Sequence, residues 1–258
     1  MIPHLRVEQD LGPEDYFQFP DPRRAGDIVC RGANLSPGVL LSAYRQGIFP
    51  WFSAREPITW YSPDPRFVLP AGKLHISESA RRLLNRARNP ASGIRITLDQ
   101  QFEKVIRSCA TVKRRFQFGT TWITSSMIDA YCRLHELGYA HSVEVWRGSS
   151  LIGGLYGVSL GAAFFGESMF SLESGASKIG FLTFARQLFE RGFEFIDCQV
   201  PTEYLRLMGA VSVARDTYLQ MLAHALLAPD AIGSWIHGVP EVRCTHAESL
   251  VREGDGMR

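Results

Sequence analysis

Cysteine is sparse and unpaired in this chain. The five residues, Cys30, Cys109, Cys132, Cys198 and Cys244, include no C-x-x-C spacing. An odd, scattered set argues for reduced thiols and against a disulfide scaffold or a thiolate zinc site. His135 and His141 lack the H-E-x-x-H spacing of a helical metal pair. No G-x-x-x-x-G-K-[ST] loop is present, and the glycines around Gly153 do not form G-x-G-x-x-G ahead of a helix. A G-x-S-x-G elbow is missing too, because Phe170 stands where its second glycine belongs. Nucleotide-driven, metal and covalent nucleophilic catalysis are therefore unsupported, and no cofactor is expected. No apolar run approaches the length of a bilayer span. The first residues, MIPHLRVEQDLG, carry charges and no apolar signal core. A cytoplasmic protein without membrane contact is expected. Charge of one sign is also lacking: the formal net charge is +2, which announces no polyanion partner by itself.

What is present is a globular composition, 45% hydrophobic and 21% charged with 16 Phe, in a length that exceeds one average domain. The positive charge is clustered, at Arg81, Arg82, Arg86 and Arg88 and again at Lys113, Arg114 and Arg115. Such clusters suit a solvated face as well as a phosphate track. A helix is expected after Ser36, with Pro37 at its first position and Gly47 closing it. The stretch GIFPWFSAREPITWYSPDPR reads as an aromatic-packed loop, since prolines restrict the chain while rings supply contact area. Beyond Pro65, helices are expected over 77–88, 124–137, 177–191 and 201–207, and a last one from Asp216. Strands are expected over 141–147, 151–158, 162–165, 193–198 and 211–214, with Gly148, Gly153, Gly154, Gly157 and Gly161 marking hairpins and bulges. This order describes a mixed α+β fold. Residues 1–64 form a small N-terminal α/β domain, 65–232 the main domain, and 233–258 a polar tail that frays.

The segment Gly166 to Lys178, GESMFSLESGASK, crowds a carboxylate, hydroxyls and a lysine together. Asp197 and Gln199 then end an apolar run, Phe193 to Ile196. Polar groups so close to a core need partners or a purpose. Residues two apart on a strand share a face, so the acid and the amide suit the binding of an amine. A D-x-Q at a strand end also suits capping of the next helix, and Glu167 also suits a salt bridge to Lys178. Residues alone leave these readings open. Phe164, Phe165, Met169 and Phe170 suit either core or the wall of an apolar pocket. Trp51, Trp60, Tyr61 and Trp122, near basic clusters, suit stacking with single-stranded nucleic acid as well as packing.

GIFPW (Gly47–Trp51), WYSPDPR (Trp60–Arg66), LHxxGxAHSVExW (Leu134–Trp146), GGxYG (Gly153–Gly157), GESMFS with ASK, and IDCQ (Ile196–Gln199) run in this order along the chain. Together they resemble the bacterial leucyl/phenylalanyl-tRNA–protein transferase family. The resemblance implies a small N-terminal domain followed by a GNAT-like acyltransferase domain with a mixed, largely antiparallel sheet. It implies transfer of leucine or phenylalanine from Leu-tRNA or Phe-tRNA to proteins with N-terminal Arg or Lys, marking them for N-end-rule degradation. Asp197, Gln199 and Glu167 take the catalytic positions, with Asp197 polarising Gln199, whose oxygen accepts from the attacking amine. Leu155, Phe164, Met169, Phe181, Phe184 and Ile196 form the aminoacyl pocket. Trp60 and Trp122 stack on the 3′-adenosine, while Arg81, Arg82, Lys113, Arg114 and Arg115 follow the tRNA backbone. The chain departs from the family at Tyr204, where His is common, at Leu207-Met208-Gly209-Ala210, where Ser-Leu-Gly-Ala is common, and over Val112–Gly119. The alternatives are an acyl-CoA-dependent GNAT-type N-acyltransferase, for which no [QR]-x-x-G-x-[GA] turn is present, and a non-catalytic tRNA-binding module.

Overall fold

The computed structural model describes residues 2–112 and 122–242. Lys113, Arg114 and Arg115, expected on the tRNA backbone, lie outside the described residues. The N-terminal part contains β1 (His4–Leu5), β2 (Ile28–Gly32), α1 (Pro37–Arg45), β3 (Phe49–Pro50) and β4 (Thr59–Tyr61). Its four strands are ordered β1-β2-β4-β3. Helix α1 starts with Pro37 after Ser36, as its sequence dictates, and the chain leaves it through Gly47 at φ +74°. The aromatic stretch is not all loop. Phe49 pairs with Tyr61 and Pro50 with Trp60, and proline is tolerated there because β3 is an edge strand.

The main part runs β5 (Arg66–Pro70), α2 (Glu78–Arg88), β6 (Ile94–Leu98), α3 (Phe102–Thr111), α4 (Ser125–Glu136), β7 (Ala140–Arg147), β8 (Ser150–Leu160) and β9 (Ala163–Ser171). It continues with α5 (Ala176–Glu190), β10 (Phe195–Gln199), α6 (Glu203–Arg206), β11 (Val211–Val213) and α7 (Arg215–Ala225). The seven strands are ordered β11-β5-β10-β9-β8-β7-β6. Every neighbouring pair is antiparallel except β9 with β10. The fold is thus α+β with a mixed, largely antiparallel sheet, as expected. Ser77 and Thr124 accept hydrogen bonds from Ala80 N and Met127 N, which sets the starts of α2 and α4. Strands β5 and β6 and helix α3 were not anticipated.

Gly153, Gly154 and Gly157 do not punctuate hairpins; they lie inside the continuous strand β8. Their role is close approach. A Cβ on Gly153 would stand 2.8 Å from the Ala176 Cβ of α5, and one on Gly154 would stand 3.3 Å from Val105 of α3. Adjacent strand residues face opposite ways, so α5 and α3 cover the two faces of the sheet. One buried cluster takes in Tyr44 and Trp60 from the N-terminal part, Phe67 and Phe164 from the large sheet, and Trp235. The tail expected to fray from Gly233 is docked over its described residues, 233–242, where Trp235 is fully buried. A buried indole contributes a large apolar area, enough to hold an otherwise polar segment. Among the described residues no helix is long and apolar enough to cross a membrane.

Candidate active site

The site lies where β9 and β10 part. Their parallel ladder runs only from Phe195–Ala163 to Asp197–Phe165. Beyond it β9 continues with β8 alone, and each strand carries an irregularity at that level. The β8–β9 register shifts between Tyr156 and Gly157, which leaves Glu167 unpaired on the bulge. The β10–β5 register shifts between Asp197 and Gln199. Bulges re-aim side chains, and Gln199 adopts φ +64°, a conformation uncommon for a residue with a side chain. The expectation that Asp197 and Gln199 share one strand face therefore fails at the bulge.

Between the parted strands opens a cavity of about 390 Å³. All six residues expected in the apolar pocket, Leu155, Phe164, Met169, Phe181, Phe184 and Ile196, line it. Glu167, Asp197 and Gln199 line it as well. Trp122 does so from just before α4, and Phe49, Pro50 and Trp51 do so from β3 and the turn after it. Trp60 does not. It is fully buried in the small sheet, packed on Phe19 at 4.9 Å with Nε1 donating to Gly32 O at 2.9 Å, and offers no face to a stacking base. The exposed ring at the mouth is Trp51, 42% accessible and 5.5 Å from Tyr61. Which of these rings is core and which is exposed was not legible from spacing.

Glu167 makes no pair with Lys178, whose ammonium sits 5.7 Å from the Tyr204 ring. It accepts instead from Tyr44 (2.7 Å), Tyr131 (3.1 Å) and Gln199 Nε2 (2.7 Å). The two tyrosine hydroxyls also touch each other. Burial pushes the Glu167 carboxyl up to about 7, with the nearby Asp197 charge adding to the rise and the three donors opposing it. Burial likewise raises the pKa values of Tyr44 and Tyr131, so both remain donors. Because Gln199 Nε2 faces the carboxylate, its Oε1 is turned away from it.

Asp197 is fully buried and engaged on both oxygens. Arg66 grips it through Nε (2.9 Å) and Nη2 (2.7 Å), Tyr218 donates at 2.7 Å, and the Gln199 backbone N–H donates at 2.9 Å. Arg66 lies between the rings of Phe49 (4.6 Å) and Tyr218 (4.5 Å). Burial pushes its pKa down, but the Asp197 charge and hydrogen bonds, together with the Tyr218 and Glu167 charges, hold it above the ordinary value. The link from Asp197 to Gln199 thus runs through the backbone, and the partner of the Gln199 side chain is Glu167. Neither residue caps α6, whose N-cap is Thr202. Tyr44, Tyr131, Arg66 and Tyr218 were missed as site residues. Arg66 closes a quoted motif, but the helical tyrosines carried no signal beyond periodicity.

Burial pushes the Cys198 thiol far up, so it offers no thiolate. The described residues supply an apolar recess and a fixed amide, an arrangement that suits transfer of an already activated acyl group, with the protein holding both reactants. A family model described as leucyl/phenylalanyl-tRNA protein transferase matches residues 68–223, and the model of its N-terminal domain matches 33–64. The leucyl/phenylalanyl-tRNA–protein transferase of Myxococcus xanthus is 50% identical over 231 residues, covering 88% of this chain and 96% of the relative. That of Syntrophus aciditrophicus is 52% identical over 208 residues, covering 81% and 84%. A solved GCN5-related N-acetyltransferase from Kribbella flavida is 13% identical at a TM-score of 0.34, over 69% of this chain and 62% of its own. The chain belongs to the leucyl/phenylalanyl-tRNA protein transferase family, and it is an aminoacyltransferase.

Proposed function

We propose that this protein transfers leucine or phenylalanine from the 3′ end of aminoacyl-tRNA to the N-terminal amine of proteins that begin with Arg or Lys, giving them an N-terminus read by the N-end-rule degradation machinery. The observation that carries this reading is the apolar cavity with the Glu167–Gln199 pair in its wall. The cavity takes the donor side chain. It rewards apolar area and excludes little by hydrogen bonding, which explains acceptance of both leucine and phenylalanine. Trp51 and Trp122 stand where a terminal adenosine can stack, and Glu167 faces the donor's free α-amine or that adenosine. Arg81 and Arg82 on α2 follow the acceptor-stem phosphates.

The aminoacyl ester is already activated. The acceptor amine attacks the ester carbonyl, a C–N bond forms, the C–O bond to the ribose breaks, and a proton from the amine ends on the leaving oxygen. Gln199 Oε1 accepts from the amine and aims its lone pair; a neutral amide is too weak a base for more. Asp197 acts from behind, holding the Gln199 backbone in its left-handed turn. Positioning of this kind removes several kcal/mol of barrier, up to roughly 7–11 in ideal cases.

The test is transfer of labelled leucine from charged tRNA to a peptide beginning with Arg, beside one beginning with Asp. Label on the Arg peptide alone is expected. Label on neither, with tRNA still bound, favours a tRNA-binding module. Gln199→Ala is expected to lower kcat/KM by roughly a hundredfold or more. Asp197→Ala is expected to lose activity together with about 3–5 kcal/mol of stability, because it strands the Arg66 charge. Full activity in Asp197→Ala would remove that residue from the mechanism.

A further inference from the structure

The aromatic wall of the apolar cavity is backed by a residue outside both family matches. Phe164 and Phe184 line the cavity and meet edge to face, with centroids 4.9 Å apart at 75°. Behind both stands the fully buried Trp235, 6.3 Å from Phe164 and 6.2 Å from Phe184. Phe193 packs on its edge at 5.8 Å. His141 covers another side as a parallel stack, at 3.7 Å and 10°. One carboxylate locks this arrangement: Asp99 Oδ2 accepts from Trp235 N at 2.7 Å and lies 2.9 Å from His141 Nδ1. Asp99 itself adopts φ +55° to do so. The indole is thus clamped between the cavity's aromatic wall and a rigid polar corner.

We propose that Trp235 sets the depth of the aminoacyl cavity and so determines which donor side chains are accepted. It is a positioning residue that never touches substrate. The proposal rests on the reading of this cavity as the aminoacyl pocket. A wall ring can retreat only into free volume, and close-packed interiors offer none. With the indole in place, Phe164 and Phe184 hold the wall at a depth suited to leucine and phenylalanine. Without it they gain room to tilt back, and the cavity deepens. An apolar pocket that changes by the equivalent of a few methylenes shifts discrimination by about 10–200-fold.

The test charges one tRNA body separately with leucine, phenylalanine and tryptophan, and follows transfer to an Arg peptide. Wild type, Trp235→Phe and Trp235→Ala are compared, with circular dichroism confirming the fold of each. Trp235→Ala is expected to raise the tryptophan-to-leucine ratio of kcat/KM by about tenfold or more, mainly through KM. Trp235→Phe, which fills part of the space, is expected to give an intermediate ratio, and it carries the test if the alanine variant does not fold. Added indole is expected to restore the wild-type ratio in the alanine variant. An unchanged ratio in a folded variant, even with a slower overall rate, makes Trp235 a structural residue only and overturns the proposal. Wild-type protein that transfers none of the three donors overturns the aminoacyl reading itself, and the proposal with it.

Discussion

At the scale of single residues, the site is two buried carboxylates with different neighbours. Asp197 is gripped by the Arg66 guanidinium, and Glu167 meets only neutral donors; burial pushes the Glu167 carboxyl up to about 7. Its ordinary value is 4.5, so the folded chain binds the proton more tightly than the unfolded chain does. The stability this gives is fully present below about pH 4.5 and is lost as pH rises through about 7. Wild type is therefore expected to lose on the order of 3 kcal/mol relative to Glu167→Gln across that window. Urea unfolding of both proteins at about pH 5 and about pH 8 measures it, and an equal gap at the two pH values refutes it. The residue types of the site were legible in the sequence, because Glu167 and Gln199 interrupt apolar runs. Their partners were not. Tyr44 is 123 positions from Glu167, and Arg66 is 131 from Asp197.

At the scale of elements, the separation of β9 from β10 makes the cavity, and the turn between β8 and β9 keeps those strands in register. Gly161 in that turn has φ +53°, and a Cβ there would stand 2.3 Å from Ala225 O at the end of α7. Gly161→Ala is expected to cost at least about 1–3 kcal/mol through the backbone alone, with the clash added. A thermal melt checks this, and a Tm within a degree of wild type would refute it. Helix starts were readable: Pro37 suits the first helical position after Ser36, while Ser77 and Thr124 accept hydrogen bonds from Ala80 N and Met127 N. Strand β8 was expected over 151–158 and runs from Ser150 to Leu160. The close approach that its inner glycines permit was not legible, because turn, bulge and close approach use the same residue. Strand β6 alternates apolar and polar residues, but as a five-residue sheet edge it stands out little from its polar flanks.

At the scale of the whole molecule, the basic helix α2 sits beside the cavity. Its Leu83 is near Gly175 at the start of α5, and Ser177, two residues further on, lines the cavity. Arg82 is paired with Glu78 on the same helix, while Arg81 is in none of the ion pairs among the described residues. Arg81→Ala is expected to reduce the slope of log K for tRNA binding against log salt by about 0.7–0.9, the equivalent of one phosphate contact. Arg82→Ala is expected to change it less. Salt titrations of tRNA binding decide this, and an unaltered slope in Arg81→Ala takes α2 off the tRNA path.

The sequence by itself determined the reaction class, through ordered motifs of uncommon residues, the apolar identity of the six pocket positions, and the helices whose caps and periods are local. Only the tertiary structure decided that Trp60 is core and Trp51 is mouth, and that Glu167 rather than Asp197 holds the Gln199 amide. It also decided that a polar C-terminal segment buries Trp235 behind the pocket. The physical reason is that periodicity and capping act over a few residues along the chain. The partner of a buried charge or ring is chosen by packing between segments that a linear pattern does not relate.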